Sequence, residues 1–180
     1  FYLKGCSMKI LALGAHPDDI EYGCGGMLLN AVDKGHQVFM HVLTDGSVTS
    51  GADRRAEQEK AAEFLGANKL FWQGLKDTTL TPCRELIEAI EDVLGEVEPD
   101  LVLINYFDDS HQDHAALANS AAAACRYVKR VLYYHDYTTL NYVADTFIDI
   151  EPMLERKLQL LEMHESQVNK SYPTGFNLLE

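Results

Sequence analysis

Short apolar runs alternate with longer amphipathic segments along most of the chain. Each run is brief and bounded by polar or glycine residues, as in strands that are buried between two helical layers. The predicted strands are residues 8–14, 38–43, 69–72, 101–105 and 130–134, with a sixth at 147–150. The predicted helices are residues 23–34, 54–65, 82–96, 115–125 and 152–164. This alternation predicts an α/β fold, a Rossmann-like doubly wound sheet of five or six mostly parallel strands with helices on both faces.

The connections between these elements predict the order of the strands. In a doubly wound sheet ordered 3-2-1-4-5, strands 1 and 4 are neighbours whose crossovers diverge. The loops that follow these two strands then flank the crevice in which such folds bind ligands. Residues that are far apart in sequence are therefore expected to meet there.

Composition narrows the class of protein. A chain of 180 residues, 47% hydrophobic and 24% charged, is expected to form one domain at residues 8–180 after a short extension at residues 1–7. Acidic residues outnumber basic ones 28 to 15, and the resulting negative charge disfavours binding to nucleic acid or anionic lipid. The apolar runs are too short to span a membrane. Cysteines that stand singly favour a reducing, cytoplasmic setting, and a homo-oligomer stays open.

Two loops concentrate the residues that can carry out chemistry. The run AHPDD follows the first strand at residues 15–19, and SHQDH follows the fourth at residues 110–114. Two imidazole nitrogens and one carboxylate oxygen form a known zinc set that leaves a position open for water, whose pKa zinc lowers to about 7. The residues left over suit a general base and a group that stabilises an oxyanion or protonates an amine. The alternative is that the aspartates cap helices and the histidines cover a sheet edge.

These motifs resemble those of the LmbE-like, or PIG-L, family of zinc-dependent N-deacetylases. The family's AHPDD motif, with a glycine-rich start of the next helix, appears at residues 15–19 and 23–26, and its HxDH motif appears at residues 111–114. By this resemblance the zinc ligands would be His16, Asp19 and His114. The implied catalytic residues are Asp18 as general base, His111 as oxyanion stabiliser and Asp113 as the carboxylate that orients a histidine.

The resemblance extends from about residue 8 to residue 167 and implies further site residues. It includes the Thr44-Asp45-Gly46 turn and the Arg54-x-x-Glu57 start of a helix. In the family, the residues that match Arg54 and Asp77 lie near the substrate. His164, the third residue expected near the substrate, begins the run HESQ, which resembles a late family motif.

The activity implied by the resemblance is removal of an N-acetyl group from a small amino-sugar substrate that contains N-acetylglucosamine (GlcNAc). The substrate would be a glycoside, a glycolipid or a saccharide, and zinc-bound water would attack the amide. Fe²⁺ could occupy the same ligand set. Two alternatives stay open: an amidase acting on another amide conjugate, and a metal- or sugar-binding protein without turnover.

Other features favour ordinary structural roles. A dinucleotide-binding turn needs G-x-G-x-x-G, but His16 stands where a glycine belongs. The glycines at residues 23–26 favour close packing over a phosphate cradle, because the Lys-Ser/Thr pair of a P-loop is absent. Cys24 is expected to be a buried thiol and not a ligand. Three lone histidines are expected to lie on the surface or to be hydrogen-bonded, namely His36, His41 and His135.

Overall fold

Five parallel strands form one sheet in the part of the chain that the structure describes. The structure is a computed structural model that describes residues 7–51, 54–168 and 170, so most of the predicted extension at residues 1–7 lies outside it. The strands are β1 (Lys9–Gly14), β2 (Gln37–Thr44), β3 (Lys69–Leu75), β4 (Leu101–Asn105) and β5 (Val131–Tyr134). Their order is β3-β2-β1-β4-β5, and every neighbouring pair is parallel. The predicted order is confirmed.

Helices cover both faces of this sheet. They are α1 (Asp19–Asp33), α2 (Ser47–Ser50), α3 (Arg55–Leu65), α4 (Arg84–Val97), α5 (Gln112–Ala124), α6 (Leu154–Glu162) and α7 (Glu165–Val168), with 3-10 turns at Cys125–Tyr127 and Glu151–Met153. One face packs against α1, α3 and α6, and the other packs against α4 and α5. The central strands are buried because each pleat carries side chains into both layers. No helix of the described residues is long and apolar enough to cross a bilayer.

The predicted sixth strand is wrong. Residues 147–150 pair with no strand of the described chain, and the side chain of Phe147 is 84% exposed. Ile150, at the end of this run, packs against α1 beside Gly26. The run therefore leads the chain from β5 back to α1, and the sheet ends at β5.

The glycine-rich segment lies inside a helix and not before it. The predicted start of this helix at Gly23 is wrong, since α1 begins at Asp19. A Cβ atom at Gly23 would lie 2.2 Å from the ring of Tyr134, and one at Gly25 would lie 3.1 Å from Leu160. The glycines let α1 approach β5 and α6 closely, so the packing interpretation is confirmed.

One histidine prediction is also wrong. His41 lies in β2, on the face that packs against α4 and α5, and it is fully buried against Phe71. Neither ring nitrogen has a hydrogen-bond partner within the described residues. Burial lowers the pKa of His41 to about 4. The ring is therefore neutral and serves as a packing residue.

Candidate metal centre and catalytic site

The loop between β1 and α1 is held in an unusual conformation at the carboxyl edge of the sheet. Thr44, at the end of β2, donates hydrogen bonds from its backbone N–H and its hydroxyl to the carbonyl of Ala15. Asp18 has a φ of 103°, in the region that favours glycine. Strain of this kind persists only where neighbouring contacts enforce it, and it is common at functional sites.

Gly46 makes room for this loop. Its φ is 61°, and a Cβ atom there would lie 2.9 Å from Pro17 and 3.0 Å from the side chain of Arg54. A larger residue would be strained and would also displace the loop or the arginine.

Three side chains from the two loops converge on one point. Nδ1 of His16 lies 3.2 Å from Nε2 of His114 and 3.4 Å from Oδ2 of Asp19. Nε2 of His114 lies 3.3 Å from the same oxygen of Asp19. A tetrahedral zinc ion with bonds of about 2.0–2.2 Å separates its ligand atoms by about 3.3–3.6 Å. This nearly equilateral triangle of nitrogen and oxygen atoms therefore fits a divalent cation.

Carboxylates on the far side of each imidazole hold the rings in place. Nε2 of His16 lies 3.1 Å from Asp113 and 3.2 Å from Asp77, and Nδ1 of His114 lies 3.2 Å from Asp109. Such partners fix which ring nitrogen faces a metal and increase its basicity. Asp113 thus lies where a residue that orients a histidine should lie.

The histidines and carboxylates of this centre stabilise each other's charged forms. Burial alone would lower the pKa of His16, but Asp19, Asp113 and Asp77 raise it well above its usual value. Burial likewise lowers the pKa of His114, but Asp19 and Asp109 raise it to about 10. Burial would raise the pKa of Asp19, yet the two histidines hold it well below its usual range. The surrounding carboxylates therefore create a strong preference for positive charge, which protons or a cation can satisfy.

Asp18 lies at the edge of the centre and does not cap α1. It occupies the N-cap position, but its side chain makes no capping hydrogen bond. Its Oδ2 accepts a hydrogen bond of 3.0 Å from Nη2 of Arg54, while its Oδ1 accepts none from the described residues. Burial raises the pKa of Asp18, and Arg54 and His164 act to lower it. Arg54 thus anchors one of the two carboxylate oxygens of Asp18.

His111 presents its outer ring nitrogen to the same space. Its Nδ1 accepts a hydrogen bond of 3.3 Å from the backbone N–H of Asp113, which caps α5. The neutral ring consequently carries its proton on Nε2. Burial, together with His16 and His114, lowers the pKa of His111. The ring lies 4.5 Å from His16, centroid to centroid, and can donate a hydrogen bond near the metal centre.

The three residues predicted near the substrate are all buried behind the loops. Asp77 directs Oδ1 towards His16 and accepts a hydrogen bond at Oδ2 from the backbone of Val48. Arg54 is 4% exposed, and His164 lies beside it with its Nδ1 3.4 Å from Nη2 of the arginine. These positions place them in contact with site residues. Whether they also touch substrate stays a prediction.

Two carboxylates that the sequence analysis missed adjoin the centre. Asp109 holds His114, as described, and Asp136 follows β5 with an exposure of only 2%. Ligand atoms of Asp136, Asp19 and His114 all lie within 4.8 Å of one another. Burial, reinforced by Asp19, raises the pKa of Asp136 to about 8. Its place after the strand next to β4 is the signal that could have revealed it.

Cys24 is a buried thiol, as predicted. Its Sγ donates to the carbonyl of Ile20 one turn earlier in α1, and burial raises its pKa far above the usual range. A thiol that does not ionise is neither a nucleophile nor a ready metal ligand.

The sheet order and the paired histidine–aspartate loops define a doubly wound α/β protein with its site at the switch between β1 and β4. The chain belongs to the PIG-L family, described as GlcNAc-PI de-N-acetylase, which its residues 11–125 match.

Relatives from bacteria and archaea resemble most of the chain. It is 34% identical over 167 residues to the "uncharacterized deacetylase YaiS" of Escherichia coli K12, covering 87% of this chain and 90% of that protein. It is 32% identical over 193 residues to the diacetylchitobiose deacetylase of Thermococcus kodakarensis, covering 88% of this chain and 70% of that protein. The solved N,N'-diacetylchitobiose deacetylase of Pyrococcus horikoshii superposes with a TM-score of 0.81 at 25% identity, covering 93% of this chain and 74% of that one.

Proposed function

We propose that this protein is a metal-dependent hydrolase that removes the N-acetyl group from a substrate containing GlcNAc. The observation that carries the proposal is the triangle of His16, Asp19 and His114, whose nitrogen and oxygen atoms lie 3.2–3.4 Å apart. Beside it lies the carboxylate of Asp18, of which one oxygen is bound by Arg54. This arrangement places a buried site for a cation beside a base at the carboxyl edge of the sheet.

The residues proposed to hold the cation are His16, Asp19 and His114. Two imidazoles and one carboxylate suit zinc, and Fe²⁺ is the alternative that the same donors accept. The cation would polarise the amide carbonyl and favour the ionisation of water at neutral pH. Asp113, Asp77 and Asp109, which contact the far nitrogens of the two rings, would keep the rings turned towards it.

Asp18 is proposed as the general base. Water attacks the carbonyl carbon of the acetamide, and a proton of this water passes to Oδ1 of Asp18. Arg54 stays bound to Oδ2, so the carboxylate does not turn during the transfer. The C–N bond then breaks as the proton is delivered to the amine nitrogen. The products are acetate and a free amine.

His111 is proposed to stabilise the charge that develops on the carbonyl oxygen. Its Nε2–H is free to donate because Nδ1 is engaged by the backbone of Asp113. A donor aimed at a developing oxyanion typically contributes about 10²–10³ in rate. The lowered pKa of His111 keeps the ring neutral, so the tautomer stays defined.

The proposed substrate class follows from the relatives. The family is described as GlcNAc-PI de-N-acetylase, and two of the relatives are named diacetylchitobiose deacetylases. The acetylated amino sugar is the group that these names share. We therefore propose a GlcNAc-containing glycoside, glycolipid or saccharide, bound from the cleft side of the two loops.

A panel of amides tests this proposal. The purified protein is incubated with N,N'-diacetylchitobiose, simple GlcNAc glycosides and non-sugar N-acetyl amides, and acetate and primary amine are measured together. Equal release of both from the sugars alone supports the proposal. Release from non-sugar amides alone indicates an amidase for another conjugate, and binding of the sugars without release indicates a protein that has lost turnover.

A further inference from the structure

A buried polar cluster lies behind the catalytic loop, where α1, α3 and the junction of α6 with α7 meet. Its central members are Glu21, Arg54, Gln58 and His164, which are between 0% and 4% exposed. Glu21 and His164 have no contact with solvent, and the contacts that they make are with other residues of the protein. These contacts give both residues a way to act on catalysis through their neighbours.

Glu21 is a carboxylate without access to water. Its Oε1 accepts a hydrogen bond of 2.6 Å from Gln58 and lies 3.5 Å from Nε2 of His164. Its Oε2 has no partner among the residues that the structure describes. A buried carboxyl group with so few hydrogen bonds is costly, and an apolar side chain would fill the space without that cost. The cost points to a role for this carboxylate.

His164 connects Glu21 to the catalytic loop. Its Nδ1 lies 3.4 Å from Nη2 of Arg54, which can only donate, so this nitrogen must offer its lone pair. The proton of the neutral ring is then on Nε2, which lies 3.5 Å from Oε1 of Glu21 and makes no shorter hydrogen bond to any described residue. Burial lowers the pKa of His164, and Glu21 together with Asp18 raises it above its usual value, but a second proton on Nδ1 would point at the guanidinium. The neutral ring is therefore the state that these contacts fit.

Arg54 is held from three directions. Its Nη2 donates to Asp18 at 3.0 Å and faces His164, while its Nε donates to Glu57 at 3.2 Å. Glu57 also accepts hydrogen bonds from the backbone and hydroxyl of Ser166, which tie α7 to α3. The guanidinium is consequently fixed in its plane, and so is the oxygen of Asp18 that it binds.

We propose that Glu21 and His164 are positioning residues of the catalytic base. Glu21 orients the ring of His164, the ring fixes Nη2 of Arg54, and Arg54 holds Oδ2 of Asp18 so that Oδ1 is the oxygen available to accept a proton. This inference rests on the proposed function, in which Asp18 is the base.

Three substitutions test the relay. His164→Leu removes the acceptor, His164→Asn restores an amide oxygen close to the position of Nδ1, and Glu21→Gln removes the charge. We expect His164→Leu and Glu21→Gln to lower kcat by roughly 10- to 100-fold with KM changed less than about twofold, because the base is misplaced and not lost. His164→Asn recovers most of kcat. His41→Asn, at the buried histidine on the other face of the sheet, controls for general core damage and leaves kcat unchanged.

A double-mutant cycle tests whether Glu21 acts on catalysis through Arg54. Glu21→Gln is combined with Arg54→Lys, and metal content and thermal midpoint are measured for every variant. If Glu21 acts through Arg54, its substitution has little further effect on kcat in the Arg54→Lys background. Equal losses in both backgrounds, or a His164→Asn variant no more active than His164→Leu, would overturn the proposal.

Nuclear magnetic resonance keeps this test separate from the proposed function. In protein labelled with ¹⁵N-arginine, we expect a protected guanidinium signal from Arg54 that is lost in His164→Leu and Glu21→Gln and kept in His164→Asn. This result would support the relay even if the wild-type protein released no acetate from any sugar. A signal that is the same in all variants would overturn it.

Discussion

Nη2 of Arg54 donates a hydrogen bond of 3.0 Å to Oδ2 of Asp18, joining the residue before α3 to the residue before α1. The arginine is almost fully buried, and the aspartate has a strained backbone. The guanidinium of Arg54 thus binds one oxygen of the proposed base. The other oxygen is the one proposed to accept the proton. The site is organised around this pair as much as around the metal ligands.

Replacement of the base should separate catalysis from metal binding. In Asp18→Asn the amide oxygen can still accept from Arg54, but the side chain can no longer take a proton. We expect kcat to fall by about 10²–10⁴, while the metal content measured by atomic emission is unchanged. Asp92→Asn, on an exposed turn of α4, is the matched control. Unchanged turnover in Asp18→Asn would remove this residue from the mechanism.

His111 should have two separable roles. Asparagine is a good N-cap residue, so His111→Asn keeps the cap on α5 but lacks the outer N–H. We expect kcat to fall by about 10²–10³ with little change in the free energy of unfolding. His111→Ala should lose the same activity and also about 1 kcal/mol of stability. If both variants keep full activity, the oxyanion is stabilised elsewhere.

Removal of the cation should abolish activity and lower stability together. Dialysis against a chelator is expected to stop hydrolysis and lower the thermal midpoint, because a ligand that binds only the folded state stabilises it. Added zinc or Fe²⁺ should restore both, and the metal that restores more activity is the better cofactor. The midpoint of His114→Ala should not respond to either metal. Activity that survives complete metal removal would contradict the proposal.

His41 should make the protein sensitive to acid. Its pKa is about 4 in the folded protein and close to 6.5 in the unfolded chain, so the unfolded state binds more protons between these values. Stability is therefore expected to fall as the pH drops from 6.5 to 4, by about 3 kcal/mol from this group. His41→Leu should remove that part of the slope in urea titrations, and the exposed His135→Leu should not. Identical slopes for all three proteins would show that His41 is not the cause.

Two glycine-to-alanine substitutions should change the stability of the protein in opposite directions. At Gly23 a methyl group would lie 2.2 Å from the ring of Tyr134, whereas at Gly95 in α4 it would meet nothing within 4 Å. We expect Gly23→Ala to destabilise the protein by about 1–3 kcal/mol through overpacking. Gly95→Ala should stabilise it by about 0.5–1 kcal/mol through helix propensity. Chemical denaturation measures both, and a harmless Gly23→Ala would argue against the packing role.

Much of the fold could be predicted because strand and helix periods differ clearly along this chain. Local sequence patterns gave the wrong secondary structure where tertiary contacts determine it. Glycines lower helix propensity, so residues 23–26 suggested a boundary, but close contacts with Tyr134 and Leu160 stabilise α1 through them. The run at residues 147–150 has strand composition, but no strand of the described residues lies beside it to pair with.

The convergence of the two loops could be predicted because their motifs follow strands that the fold makes adjacent. The partners of the proposed metal ligands could not. His114 faces Asp109 although Asp113 is nearer in sequence, and Asp113 instead supports His16 from the other loop. Glu21 was overlooked because its importance depends on burial against His164, from the end of the chain. The single domain, the cytoplasmic setting and the oligomeric state remain predictions.

The junction of β1 with β4 has a consequence for how the protein is made. The first strand and its two ligands leave the ribosome long before His114, and β4 can join β1 only after the intervening β2 and β3 units have emerged. Closing so long a loop is slow and entropically costly. A cation held by both loops would therefore be bound late in biogenesis, only after β4 has paired with β1.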